Sequence, residues 1–170
     1  MEQLAHDRFV AERDQLALET GHGDMTDLAR FADERFDLVF QPVANHFVPD
    51  VRPVWGEAFR VLKPGGVFLA GFLNPMEYIF DWAKEDESLL EATRSLPFSS
   101  LEVYGEAWLR ENGEAAEYSH SLETQIGGQL EAGFMLTHLL ESHREPGTSP
   151  KGGLFPSYIA TRAVKPPRAL

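Results

Sequence analysis

Apolar residues in this chain occur in short, compact runs that are separated by stretches rich in proline, glycine and acidic residues. Runs of this length between turn-forming residues predict β-strands. The run at 67–73 contains no polar side chain, which is typical of a strand buried on both faces of a sheet. Five strands are predicted in this way, at residues 16–20, 36–41, 67–73, 134–141 and 158–164.

Helical patterns alternate with these strands. Residues 3–15 are strong helix formers without glycine or proline, and residues 51–62 carry apolar positions at helical spacing up to the Pro-Gly-Gly sequence at 64–66. Asn74 and Pro75 form a helix opening, and we expect that helix to continue to about residue 92. A short helical turn at 25–32 and a helix at 122–132 complete the pattern. Alternating strands and helices predict an α/β sheet with helices on both faces.

The 170 residues fit a single domain, and the less regular, acidic stretch at 95–121 is interpreted as an inserted lobe. Apolar residues make up 43% and charged residues 25%, which excludes a disordered chain. No apolar run approaches the roughly 20 residues that cross a bilayer, and the first residues lack the pattern of a signal peptide. We therefore expect a cytoplasmic protein.

Candidate chemistry is restricted by the absence of cysteine and by a net charge of −12. Without cysteine there are no disulfides, thiolate nucleophiles or cysteine zinc sites. The two histidines at 138 and 143 do not have the order of a metalloprotease motif, so no metal site is predicted. An acidic surface repels phosphate groups, which argues against nucleic acids and anionic membranes as partners. A small molecule is the expected ligand.

Several segments together resemble the class I S-adenosylmethionine (SAM) dependent methyltransferases. The most specific is Leu-Lys-Pro-Gly-Gly at 62–66 before an apolar strand; the others lie at 23–28 (Gly-Asp-Met-Thr-Asp-Leu), 35–40, 131–134 and 158–165. The resemblance implies a Rossmann-like sheet of strand order 3-2-1-4-5-7-6, SAM as cofactor, and methyl transfer to a small-molecule acceptor.

The resemblance also implies three cofactor-binding residues. Asp24 would accept a hydrogen bond from the adenine amino group, since an ionised carboxylate is only an acceptor. Met25 would offer its backbone N–H and pack its thioether on the base, and Gln41 would face the methionine end of the cofactor. Asp24 has an alternative role as the cap of the turn that follows it, and both roles can coexist.

Substrate-binding candidates follow two of the predicted strands. Asn45 and His46 lie in the loop after residues 36–41, where open α/β sheets bind ligands. His46 is also the candidate catalytic base, because its ordinary pKa lies near neutrality. The alternative for His46 is a hydrogen-bonded loop residue without a catalytic role. Tyr78 is a candidate wall of the acceptor site, with core packing as its alternative.

The chain departs from the family pattern at its beginning. It shows no counterpart of the first strand, glycine-rich turn, helix and second strand, so we expect an incomplete sheet with residues 36–41 at an edge and the character of a fragment. Exposed sheet edges favour self-association. Methyl transfer by this chain is expected to be weak or absent. The alternative function is a non-catalytic, methyltransferase-like remnant that serves as a binding or interaction module.

Overall fold

The computed structural model describes residues 2–81 and 90–168. Its main elements are helices α1 (Glu2–Arg13), α2 (Arg52–Val61), α3 (Ser100–Asn112) and α4 (Gly128–Glu131), and strands β1 (Phe36–Gln41), β2 (Leu62–Leu73), β3 (Met135–Ser142) and β4 (Tyr158–Val164). Short 3-10 helices lie at Asn45–Phe47 and Pro75–Tyr78, and a π-helical turn at Glu123–Gly127 precedes α4.

The four strands form one sheet in the order β1-β2-β4-β3. Strand β1 runs parallel to β2, and β4 is antiparallel to both of its neighbours. This order corresponds to the 4-5-7-6 part of the strand order that the resemblance implies. The α/β, Rossmann-like sheet is therefore confirmed, and β1 lies at an edge as expected.

One face of the sheet carries the hydrophobic core. Alternate residues of β2 point to this face, where Phe68 is fully buried against Trp55 of α2, with ring centroids 5.6 Å apart. The ring of Phe134, just before β3, stacks on Phe68 at 5.2 Å. Burial of a side chain the size of Phe68 contributes about 1.5–3 kcal/mol, so this aromatic cluster fixes α2 on the sheet.

The Leu-Lys-Pro-Gly-Gly motif is a bulge at the start of β2. Phe36 pairs with Leu62 and Leu38 pairs with Val67, so the four residues 63–66 of β2 lie opposite a single residue of β1. Gly65 has a φ of +84°, a conformation that favours glycine, and a Cβ on Gly66 would lie 2.8 Å from a backbone carbonyl oxygen. The motif thus lets the chain pass directly from α2 into β2.

The other face of the sheet is open within the described residues. Phe40 and Leu140 keep 67% and 56% of their surface exposed. Together with Leu69 and Ala160 they line a shallow, almost wholly apolar cavity of about 470 Å³. Helices α2 and α4 both pack on the opposite face, because Trp55 contacts Phe68 and the Gln129 side chain is bonded to Thr161.

The strand predicted at 16–20 is wrong. These residues follow α1 as an irregular segment, and Leu16 and Leu18 are exposed. A strand needs a hydrogen-bonded neighbour, and in the described sheet no strand lies beyond β1 to provide one. The local apolar pattern was therefore insufficient to predict a strand at these residues.

The helix predicted from Asn74 to about residue 92 is shorter. Asn74 does cap a helix, since its side chain accepts a hydrogen bond from the Met76 N–H at 3.0 Å, but that helix is the 3-10 turn Pro75–Tyr78. Phe80 then pairs with Ala92 in an isolated bridge, which excludes a helix at both of those positions. Residues 82–89 of the predicted helix lie outside the described residues. The segment at 25–32 forms consecutive turns rather than a helical one.

The region interpreted as a lobe consists of α3 and the segments on either side of it. Ser100 donates its backbone N–H to the Glu117 carbonyl at 2.9 Å, and Ser119 donates to Phe98 at 2.9 Å. These bonds fasten the two segments to each other. Across residues 2–81 and 90–168, none of the helices has the length and apolar character required to cross a membrane.

Candidate functional site

The candidate site lies at the sheet edge where β1 and β2 end. Gln41 is the last residue of β1, and the loop after it leads into the 3-10 helix Asn45–Phe47. Leu73 ends β2, and Tyr158 begins the antiparallel β4 beside it. Ligands of open α/β sheets bind outside the carboxyl ends of the strands, so the sequence-predicted residues are at the appropriate edge.

Asp24 acts as the cap of its own turn. Its Oδ1 accepts hydrogen bonds from the backbone N–H and the hydroxyl of Thr26, both at 2.8 Å, and these bonds hold the pKa of the exposed carboxyl below its ordinary value. The capping role that was the alternative for Asp24 is thus present, and Oδ2 is the oxygen left to accept a hydrogen bond from a ligand. Met25, the next residue, packs partly against the core.

The structure brings Met25 and Gln41 together. Nε2 of Gln41 lies 3.8 Å from Sδ of Met25, although 16 positions separate the two residues. Two of the three predicted cofactor-binding residues therefore share one location at the end of β1. No sequence pattern indicated this contact directly.

The turn that carries Asp24 is fastened by two residues of α2 that the sequence did not single out. Glu57 accepts from the Leu28 N–H at 2.6 Å, while Arg60 donates to the carbonyls of Leu28 and Phe31, both at 2.9 Å. Arg60 also pairs with Glu57 at 2.8 Å, and this pairing lowers the pKa of Glu57. A carboxylate and a guanidinium one helical turn apart were the available signal.

Asn45 is buried and connects the loop after β1 with the end of β2. Its side chain is 1% exposed, and its Nδ2 donates to Oε1 of Gln125. Nε2 of Gln125 in turn donates to the Leu73 carbonyl at 3.3 Å. The ring of His120 lies against the backbone carbonyl of Asn45, with Nε2 at 3.1 Å. Asn45 is therefore part of a polar network in the core.

His46 is half-buried and lies beside the lobe. Its carbonyl accepts from the Tyr118 N–H at 2.8 Å, and its ring contacts Phe47 with centroids 4.0 Å apart. Burial lowers the pKa of His46, the charge of Glu117 opposes that effect, and His120 adds to it. The net result keeps the imidazole neutral near pH 7, which is the form that a general base requires.

Tyr78 is packed against the lobe and also lines a cavity at the end of β2. Its side chain is buried, its ring stacks on Phe98 at 5.4 Å, and its hydroxyl donates to Oε2 of Glu117 at 3.0 Å. Burial, and then the charge of Glu117, raises the pKa of Tyr78 well above its ordinary value. The hydroxyl therefore stays protonated and holds Glu117 in place.

Three polar atoms at the end of β1 and in the loop after it have no hydrogen-bond partner among the described residues. They are Oε1 of Gln41, Oδ1 of Asn45 and Nδ1 of His46, and all three are buried. Buried polar atoms are nearly always paired in folded proteins. Unpaired atoms on the last residue of β1 and on two residues of the loop after it, at the ligand-binding edge of the sheet, fit a site that accepts a polar ligand.

Residues 19–23, Glu-Thr-Gly-His-Gly, match the Glu/Asp-x-Gly-x-Gly spacing of the family's glycine-rich turn. They do not lie between a strand and a helix, as that turn does. In the family that turn joins a strand to a helix. Within the described residues, helix α1 and an irregular segment precede it, and the turn closed by the bridge between Asp24 and Asp27 follows. The spacing alone does not make these residues a cofactor loop.

Comparison with known proteins finds similarity to methyltransferases. A family model described as "Methyltransferase domain" matches residues 1–70. The chain is also 44% identical, over 171 residues, to the uncharacterized methyltransferase YbaJ of Bacillus subtilis (strain 168). Both similarities support a class I SAM-dependent methyltransferase. The alignment with YbaJ covers 96% of this chain and 64% of YbaJ, so the chain spans less than two thirds of that relative.

Solved structures agree on the fold of this chain. A SAM-dependent methyltransferase from Mesorhizobium loti is similar with a TM-score of 0.64 at 18% identity, covering 95% of this chain and 77% of that one. The cyclase SpnF is equally similar, with a TM-score of 0.64 at 15% identity, covering 99% of this chain and 65% of that one. One of these neighbours is named as a cyclase, so the fold alone does not decide the reaction.

Proposed function

We propose that this chain is a methyltransferase domain that uses SAM to methylate a small-molecule acceptor, and that these 170 residues alone do so weakly or not at all. The observation that carries the proposal is the set of unpaired buried atoms on Gln41, Asn45 and His46. Similarity to methyltransferases supplies the reaction that such a site would serve.

The residues present fit one part of the cofactor. Oδ2 of Asp24 would accept from the adenine amino group, the Met25 N–H would face the adjacent ring nitrogen, and Gln41 would turn its unpaired Oε1 toward the methionine end. When bound, SAM supplies an electrophilic methyl group. Asn45 would orient the acceptor, and neutral His46 would take the proton that the acceptor releases.

The proposal of weak activity rests on contacts that have no counterpart in the chain. The resemblance assigns the ribose hydroxyls and the carboxylate of SAM to the first strand–helix–strand of the family. Each missing polar contact removes about 1–3 kcal/mol, so two or three of them turn a micromolar site into a millimolar one.

Binding of SAM to the full 170-residue chain tests this proposal. Ligand-detected NMR at millimolar SAM should show weak binding, and Asp24→Ala should weaken it by about fivefold or more because one acceptor of the adenine amine is lost. Asp14→Ala, at an exposed aspartate outside the site, is the matched control and should leave binding unchanged. Tight, micromolar binding would contradict the weak-site proposal, and equal binding by the Asp24 variant would leave Asp24 with its capping role alone.

The open face also favours the second candidate, a non-catalytic binding module. Leu38 and Phe40 expose more than half of their surface beside the free edge of β1, an arrangement typical of interaction surfaces. The two functions differ in one measurement. Transfer of the labelled methyl group of SAM to any member of an acceptor panel would support the enzyme, whereas SAM binding without transfer would support the module.

A further inference from the structure

A second cavity lies between the lobe and the end of β2, outside the residues assigned so far to the cofactor. Its volume is about 360 Å³, within the range of small-molecule sites. Both polar and apolar side chains line it. The lining residues are Leu73, Glu77, Tyr78, Trp108, Glu114, Glu117, Arg144 and Lys151.

The charges around this cavity are unequally distributed. Glu77 is 4% exposed and pairs with Lys151 at 3.0 Å and with Arg144 at 3.3 Å, so both cations of the lining are engaged by one carboxylate. Glu114 and Glu117 form the other acidic part of the lining. Three carboxylates against two cations leave the cavity with a net negative charge, which favours a cationic ligand.

Glu117 is oriented for such a ligand. The Tyr78 hydroxyl occupies only its Oε2, at 3.0 Å, and an ionised carboxylate has about four acceptor positions. Backbone bonds also hold Glu117, since its N–H donates to Oγ of Ser100 at 2.8 Å and its carbonyl accepts from the Ser100 N–H at 2.9 Å. Its carboxylate is therefore pre-positioned.

An aromatic wall accompanies the carboxylate. Trp108 of α3 lines the cavity, remains 39% exposed, and is kept in orientation by stacking on Tyr104 with ring centroids 4.5 Å apart. The face of an indole attracts cations, most strongly when the site is partly desolvated. A carboxylate and an indole lining one cavity are a combination that recognises ammonium groups.

The cavity also adjoins the candidate base. Glu117 lines the cavity and acts electrostatically on His46, and the next residue, Tyr118, donates its N–H to the His46 carbonyl at 2.8 Å. A ligand held by Glu117 would therefore lie close to the loop after β1. We propose that this cavity binds a small organic amine as its ammonium ion, with Glu117 as the ionic partner and Trp108 as the aromatic wall. This inference rests on the proposed function only in that it names the class of methyl acceptor.

Calorimetric titration of the full chain with three ligands of one skeleton, without SAM, tests the site. The probes are 2-phenylethylamine, the neutral 2-phenylethanol and the anionic 3-phenylpropionate. We expect the ammonium compound to bind at least about tenfold more tightly than either of the others, because only it pairs with the carboxylate. Since SAM is absent, this result is independent of whether the chain transfers methyl groups.

Variants connect the binding to the named residues. Glu117→Gln keeps an oxygen for the Tyr78 hydroxyl and should weaken 2-phenylethylamine about tenfold, and Trp108→Leu should weaken it severalfold. Glu106→Gln is the matched control, because Glu106 is an exposed glutamate of α3, the helix that carries Trp108. This variant should bind 2-phenylethylamine like the unmodified chain. Unchanged thermal unfolding of each variant would show that the fold is retained.

Four results of the binding measurements would overturn the inference. They are tighter binding of 3-phenylpropionate, equal binding of all three probes, no binding of 2-phenylethylamine at millimolar concentration, or full binding by the Glu117→Gln variant. Methyl transfer from SAM to an acceptor that is not an amine would leave the proposed function standing. It would refute only the assignment of an amine as the methyl acceptor.

Discussion

Replacement of Asn45 by alanine should destabilise the fold through a residue 80 positions away. The Asn45 amide donates to Oε1 of Gln125, and both side chains are buried. Gln125 cannot turn to water when this donor is lost, because its own Nε2 is bonded to the Leu73 carbonyl at 3.3 Å. Asn45→Ala therefore leaves a buried amide oxygen without a partner.

The magnitude follows from the penalty for an unpaired buried polar atom, about 1–3 kcal/mol. We take about 2 kcal/mol as the expected loss in the free energy of unfolding. With an m value of about 2 kcal/mol per molar urea for a small domain, the unfolding midpoint should fall by about 1 M. The slope itself should not change, because the buried surface is nearly the same.

The assay is urea unfolding followed by tryptophan fluorescence, since Trp55 is fully buried beside this network. The single variants Asn45→Ala and Gln125→Ala and the double variant complete a cycle. In the double variant the second loss should be smaller by about 1 kcal/mol, because neither partner is then left unpaired. Glu106→Ala, on the exposed face of α3, is the control and should change stability by less than about 0.5 kcal/mol.

Two results would refute the reasoning. A midpoint within error of the unmodified chain for Asn45→Ala would show that the amide pair contributes nothing to stability. Strict additivity of the two single variants would show that the residues act independently despite their contact. Either result would remove the network as the link between the loop after β1 and the end of β2.

The remaining predictions concern other parts of the structure. Glu77→Gln should cost about 3–5 kcal/mol by thermal unfolding, because it leaves the buried Lys151 ammonium without its carboxylate. Burial opposes ionisation of Glu77, yet its ion pairs and hydrogen bonds keep its pKa below the ordinary value. The contribution of Glu77 to the free energy of unfolding is therefore complete above the pKa of Glu77 in the unfolded chain, and it is lost as pH falls through its pKa in the folded chain. An acid titration of the stability of the parent chain and of the Glu77→Gln variant should show this loss only in the parent. Phe40→Glu should reduce the self-association expected of the exposed edge, measured by light scattering after size exclusion, and a chain that is monomeric before the change would contradict that expectation. His46 should titrate below about 6.5 by NMR, since burial outweighs Glu117, and a higher value would contradict its neutral state.

Local pattern was sufficient where a segment's own residues decide its structure. The apolar runs at 36–41 and 158–164 are β1 and β4 with those bounds, and the helical spacing at 51–62 is α2 within one residue at each end. Burial of alternate residues needs no knowledge of the neighbouring strand, so these elements are readable from sequence. The order of the motifs along the chain likewise indicated the family and the edge of the sheet where its ligands bind.

Tertiary structure decided whatever depends on a partner distant in sequence. The run at 16–20 resembles a strand but has no neighbouring strand in the described sheet, and its leucines remain exposed. Glu57 and Arg60 hold the turn of Asp24 from a helix about 30 positions later; their spacing indicates the ion pair between them but not this contact with the turn. Backbone hydrogen bonds in a sheet and side-chain bonds between elements require two segments at once, and sequence describes only one segment at a time.

The candidate site shows the same division. Asp24 and Met25 were indicated by the motif at 23–28, and Gln41, Asn45 and His46 by their position at the end of β1, where open α/β sheets bind ligands. The roles of Glu117 and Gln125 became visible only in three dimensions, since both approach the loop after β1 from more than 70 positions away. Which residues are available for chemistry follows from sequence, whereas their charge state and orientation follow from the neighbours that folding places around them.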